Sequence, residues 1–136
     1  MKKRIKLLAG AAALLLLTGC GGRGEADQAQ ATEATYRQIS QEEAAEIMNT
    51  QGDFLLLDVR TQAEFDRGHI PGAVCLPADM IAADMPFPFG KDAEILVYCQ
   101  SGHRSADAAS KLRTLGFTDV SDIGGIADWP YETTTD

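Results

Sequence analysis

At 136 residues the chain has room for one domain with a modest core, and 45% hydrophobic residues suit a globular fold. Twenty acidic against twelve basic residues leave a net charge of −8, which argues against nucleic acid and anionic lipid headgroups as partners, since both would be repelled. Two histidines and three cysteines at scattered spacing form no recognisable ligand set, so neither a metal nor another cofactor is expected.

The first residues stand apart from the rest. Lys2, Lys3, Arg4 and Lys6 form a basic start, and Leu7 to Leu17 an apolar run too short to span a bilayer comfortably. Leu17-Thr18-Gly19-Cys20 closes that run, so residues 1–19 read as an export signal. The closing tetrapeptide resembles the lipobox of bacterial lipoproteins, which implies cleavage before Cys20 and lipidation of that residue; the alternative leaves Cys20 as a thiol. The expected location is extracytoplasmic, held to a bacterial membrane by the lipid, on the periplasmic face in a Gram-negative cell. Loss of residues 1–19 would leave eight basic and twenty acidic residues, a net charge of −12. Residues 20–35, rich in Gly, Ala, Gln and Glu without apolar periodicity, read as a disordered tether.

A domain is expected over residues 36–136. Tyr36 to Ile39 suggests a short edge strand, and Ser40-Gln41-Glu42-Glu43 a capping box opening a helix to about Asn49 that buries Ala44, Ile47 and Met48. Phe54 to Val59 reads as an apolar strand, Thr61-Gln62-Ala63-Glu64 as a second capping box, and Gly68 as the end of its short helix. His69 to Gly72 is a turn, with His69 expected to fix it through a hydrogen bond, and Ala73 to Leu76 a short strand stopped by Pro77. Over Asp79 to Lys91 a short helix and an irregular loop are expected, covering the core or, through its Met and Phe residues, offering a docking surface. Glu94 to Tyr98 is an unbroken apolar strand, Ser105 to Leu115 a helix stopped by Gly116, and Val120 to Ile123 a last strand before a Gly124-Gly125 turn. Ile126 to Trp129 forms a final helical turn, with Trp129 in the core or a lid. Strands alternating with helices at short spacing indicate an α/β domain with a mainly parallel, five-stranded sheet.

Cys99 lies between an apolar strand and a helix, where backbone N–H groups without intrahelical partners and the helix dipole favour thiolate over thiol. Arg104 adds a positive charge. Such a thiolate can attack a sulfur or phosphorus centre and hold the resulting anion; the alternative is a buried structural cysteine.

Four ordered segments carry a resemblance. They are Leu57-Asp58-Val59-Arg60, Glu64-Phe65 with Gly68-His69-Ile70-Pro71-Gly72-Ala73, Tyr98 to Ser105, and Gly124-Gly125-Ile126 with Trp129. Together they resemble the rhodanese family over roughly Tyr36 to Tyr131, which implies a doubly wound α/β domain and sulfur transfer. In the chemistry so implied, Cys99 takes a sulfane sulfur from thiosulfate or another small anionic donor and passes it to cyanide or a thiol. The backbone of Gln100, Ser101, Gly102, His103, Arg104 and Ser105 would cradle the persulfide, Arg104 would steer the donor, and His103 would contact substrate or stay solvated. Related phosphatases and arsenate reductases use five residues between Cys and Arg; here Gln100 to His103 make four, which resembles the sulfur-transferring branch. Asp58 and Arg60 fall near the active face, with an ion pair to Glu64 expected to pin the loop. A different reading is a sulfur or redox carrier that binds a protein partner and turns over little thiosulfate, and a third an inactive binding domain.

One position departs from the family pattern. Cys75 stands where Asn is common, at the end of a strand, and reads as either a small apolar filler or, on the same face as Cys99, a resolving thiol.

Overall fold

A computed structural model describes residues 36–136. The expected signal over 1–19, the lipidation site Cys20 and the tether over 20–35 lie outside the described residues. In chain order the elements are β1 (Arg37–Gln38), helix α1 (Gln41–Asn49), β2 (Phe54–Asp58), helix α2 (Gln62–Asp66), β3 (Val74–Cys75), a 3-10 turn at Ala78–Met80, β4 (Glu94–Cys99), helix α3 (His103–Thr114), β5 (Asp119–Gly125) and a 3-10 turn at Ile126–Asp128. The five strands form one parallel sheet in the order β1-β5-β4-β2-β3, as expected of a doubly wound α/β domain.

Central position explains the composition of β4. Ile95, Val97 and Cys99 point to one face with Leu57, Val59, Ala108, Ala109 and Leu112, while Leu96 and Tyr98 point to the other with Ala44, Leu56, Ile70 and Ile123. Helices cover both faces, so no position from Ile95 to Cys99 meets solvent and none is polar on a regular alternation. Leu112 of α3 is fully buried, and truncation to Ala would cost about 2–5 kcal/mol.

The two expected capping boxes come out differently. Thr61 closes both halves: its hydroxyl accepts from the Glu64 N–H at 3.3 Å, and the Glu64 carboxylate accepts from the Thr61 N–H at 3.0 Å. Ser40 accepts from the Glu43 N–H at 3.1 Å without the return bond, so only half of that box forms. Helix α3 starts at His103, two residues ahead of expectation, because Gly102 takes the N-cap in a left-handed conformation. Gly124-Gly125 is not a turn; β5 runs through both, and Gly125 lies in register with Cys99 after an irregularity at Val97.

The loop after the Ala78–Met80 turn covers the core. Phe87 and Phe89 pack edge-on or tilted against buried Phe117, at centroid distances of 4.9 and 5.2 Å, and the Lys91 ammonium lies 3.9 Å from the Phe117 ring centroid. Met80 alone of the apolar side chains expected there stays largely exposed.

Candidate active site

β4 delivers Cys99 to the carboxyl edge of the sheet, where ligands of open α/β folds bind. Gly102, at φ +97°, folds the loop back so that its N–H donates to Cys99 Sγ at 3.0 Å, and α3 begins with its N-terminus over the sulfur. Ser105 Oγ is buried 3.6 Å from the same sulfur and donates to the Gly102 carbonyl at 3.0 Å. Burial of Cys99 pushes its thiol up, but the Ser105 hydroxyl and the backbone N–H groups of Ser105, Gly102 and Ser101 outweigh it and hold the thiol below its ordinary value. The lowered thiol is supported by hydrogen bonds.

Gly125 is what lets the loop close. A Cβ there would sit 2.4 Å from the Gln100 carbonyl oxygen and 2.8 Å from Ser101 Cα, both backbone atoms that cannot swing aside. The Ala127 N–H donates to the same Gln100 carbonyl at 3.2 Å, and Gln41 Nε2 donates to the Gly125 carbonyl at 2.8 Å. The loop is therefore packed from behind by β5 and the turn after it. A local reading of Gly-Gly as a turn missed this role; a second glycine following an apolar strand was the available signal of close backbone approach.

The three charged supporting positions all reach the site, in pairings other than expected. Arg60 binds Asp58 and not Glu64: Nη2 and Nε donate to Asp58 Oδ2 and Oδ1 at 2.6 and 2.9 Å, in a pair almost wholly buried. Arg60 also donates to the Gly68 carbonyl at 2.7 Å and to Gln100 Oε1 at 3.3 Å, tying the α2 segment to the cysteine loop. Glu64 instead takes Arg104 in a two-pronged pair, Nη1 to Oε2 at 2.7 Å and Nη2 to Oε1 at 2.8 Å. The Arg104 guanidinium, with the Thr61 N–H, holds the Glu64 carboxyl well below the usual range. Arg104 thus spends its fork on Glu64 and leaves the sulfur to the Ser105 hydroxyl and backbone N–H groups.

Tyr98 is a further member that sequence reasoning passed over. It is buried, accepts from the Ile70 N–H at 3.0 Å, and burial together with the Asp58 carboxylate pushes its phenol up, so it acts as a neutral brace. A tyrosine inside an otherwise apolar strand was the signal, since a buried hydroxyl needs a partner. His69 fixes the turn as expected: its ring stacks on Phe65 at 3.7 Å, and Nδ1 donates to the Phe65 carbonyl at 2.9 Å. His103 and Gln100 are exposed at the rim, Ser101 likewise, and Trp129 packs partly buried against the α1 face.

Cys75 does not share a face with Cys99. It is in register with Asp58, which is in register with Tyr98, so Cys75 lies level with Tyr98 and on the opposite face from Cys99. Two strand spacings separate them, roughly 9–10 Å, beyond the about 7 Å a disulfide tolerates between Cα atoms. Both cysteines are free, and burial, followed by the Asp58 charge, pushes the Cys75 thiol up. The filler reading of Cys75 stands. Among the described residues no three His, Cys, Asp or Glu side chains are grouped to hold a metal.

Cys99 closes a parallel strand, four residues separate it from Arg104, and a helix N-terminus lies above it; the chain matches a family model described as a rhodanese-like domain over residues 40–131. The chain belongs to the rhodanese-like family. A sulfurtransferase of Allochromatium vinosum is 37% identical over 93 residues, covering 68% of this chain and 86% of that protein. The chloroplastic thiosulfate sulfurtransferase 16 of Arabidopsis thaliana is 41% identical over 85 residues, 54% of this chain and 71% of its own length. Among solved structures, a rhodanese-like domain protein from Staphylococcus aureus superposes with a TM-score of 0.65 at 28% identity, over 74% of this chain and 98% of that one. The rhodanese-like domain of an Anabaena protein superposes with a TM-score of 0.67 at 26% identity, over 75% and 81% of the two chains.

Proposed function

We propose that this rhodanese-like protein is a sulfurtransferase carrying sulfane sulfur on Cys99. The observation that supports it most is the Cys99 sulfur held by the Gly102 N–H and Ser105 beneath the α3 N-terminus, which stabilises an anion on sulfur and, after one atom is added, on the persulfide. In the first half-reaction the Cys99 thiolate attacks the outer sulfur of thiosulfate, the sulfur–sulfur bond of the donor breaks, and sulfite leaves with the electron pair. In the second, cyanide or a thiolate attacks the terminal sulfur of the Cys99 persulfide and leaves as thiocyanate or a new persulfide, returning the Cys99 thiolate. The relatives' names support sulfur transfer and, for one of them, thiosulfate as donor. The protein would work outside the cytoplasm on a lipid anchor at Cys20; incorporation of tritiated palmitate that a Cys20→Ser change abolishes is the result expected of that anchor, and equal incorporation in both would remove it.

The chain from residue 21 onward, incubated with thiosulfate and weighed intact, tests the chemistry. Wild type should gain one sulfur atom, lose it to cyanide as thiocyanate appears, and the Cys99→Ser variant should gain none. A wild type that gains no sulfur while Cys99 stays reduced and alkylatable sinks thiosulfate as the donor and turns attention to protein persulfides.

A further inference from the structure

The charge that selects an anionic donor at this site cannot be assigned from the pairs already described. Arg60 is buried against Asp58, and Arg104 gives both arms of its guanidinium to Glu64, so each cation is matched at short range by a carboxylate. Arg67 differs. It caps the C-terminus of α2, is exposed, and no ion pair among the described residues involves it. Together with Arg60, Glu64, Gly68 and Gln100 it lines a cleft of about 380 Å³ that opens beside the residue following Cys99.

The need for such a group follows from the whole chain. Its net charge is −8, so a small dianion approaches against a repulsive field unless the local field at the mouth is reversed. Of the charged residues that line the cleft, Arg60 is matched by Asp58 and Glu64 by Arg104, which leaves Arg67 as the excess charge. We infer that Arg67 is the specificity-determining residue that draws anionic sulfur donors to Cys99, in place of Arg104. It acts on the donor by charge alone, with a reach set by ionic strength. This rests on the sulfur-transfer reading for its biological meaning, but its physical content, preference for negatively charged reagents at Cys99, is measurable without sulfur transfer.

The test uses two alkylating reagents of similar size, the anion iodoacetate and the neutral iodoacetamide, on the detergent-solubilised full chain, with modification read on the Cys99 peptide. The ratio of the two rate constants cancels any change in thiolate fraction, since both reagents need the same thiolate. Arg67→Gln should lower the iodoacetate to iodoacetamide ratio roughly three- to tenfold, Arg67→Glu further, and Arg67→Lys should restore most of it. The differences should shrink as salt rises. Arg37→Gln removes the same charge from β1, at the far edge of the sheet from β2 and α2, and should leave the ratio in place. An unchanged ratio in Arg67→Gln and Arg67→Glu, or an equal fall in Arg37→Gln, overturns the assignment. A parallel run with thiosulfate separates the two ideas: wild type that takes no sulfur removes the donor reading while the reagent ratio still decides the role of Arg67. Wild type that takes sulfur, with an unaltered ratio in the Arg67 variants, removes the role of Arg67 alone.

Discussion

Cys75 and Cys99 both close strands of one parallel sheet, and their thiols are pushed in opposite directions, Cys75 up and Cys99 down. The strand end is common to both, so it cannot be the cause. What differs is the chain that follows. After Cys99 come a left-handed Gly102 and the start of a twelve-residue helix, which aim N–H groups back at the sulfur. After Cys75 come Leu76 and Pro77, and the sulfur finds only the Arg60 carbonyl at 3.7 Å, an acceptor that cannot stabilise a thiolate. The lowered thiol is a property of the loop, and the Cys75 corner lacks the groups that produce it.

The largest expected effect comes from the support. Asp58→Ala strips the buried Arg60 guanidinium of its carboxylate, and loss of one partner of a buried pair costs about 3–5 kcal/mol. Urea denaturation should show that loss as a lower midpoint; a fall below about 1 kcal/mol, the range of exposed pairs, would mean that the corner does not brace the fold. The matching change on the loop side is Gly125→Ala, whose Cβ must displace the Gln100 and Ser101 backbone. Misplacement of a nucleophile by about an ångström costs on the order of a hundredfold, so sulfur uptake and alkylation at Cys99 should fall by that factor while alkylation at Cys75 does not. A rise in alkylation at Cys75, whose thiol burial now restrains, would indicate general unfolding and erase the contrast.

Much of this was legible in the chain, for a physical reason. The strands, the helix after the Cys99 loop and the Thr61 cap depend on periodicity and on bonds within a few residues, and those elements form where they are expected, to within about two residues. Partner choice among charges does not: Glu64 lies four residues from Arg60 in sequence and forty from Arg104, yet the sheet order brings Arg104 to it. Likewise Gly125 looked like half of a turn because its neighbour across the sheet, the cysteine loop, is supplied by another strand. The face of Cys75 needed the register of three strands, which no single segment carries.

A smaller effect tests the loop's own contribution. Ser105→Ala removes the hydroxyl 3.6 Å from Cys99 Sγ that helps to hold the thiol down, so the thiol should move up. With a lowered pKa the thiolate persists below the pH at which a free thiol protonates, and reactivity is lost only as pH falls through that lower value. Raising it moves the loss to higher pH, which should slow iodoacetamide at neutral pH by roughly three- to tenfold and leave the rate at strongly alkaline pH unchanged. A pH profile that drops at all pH values alike would mean that Ser105 shapes the loop without stabilising the charge.

The smallest expected effect is also the sharpest for the comparison. Cys75→Ser should leave the Cys99 alkylation profile within experimental error, because Cys75 faces away from it across two strand spacings and shares no hydrogen bond with it. Oxidation with diamide should yield no loss of two hydrogens from the intact mass of the chain from residue 21, in wild type or variant, since bridging the two sulfurs would require Cys75 to cross to the other face and β2 to leave its place between them. Appearance of that loss in wild type and its absence in Cys75→Ser would show that the edge strand β3 detaches readily. Its two residues, paired only to β2, form the edge of the sheet that carries Cys75, so this is where the division between the cysteine loop and the Cys75 corner would first fail.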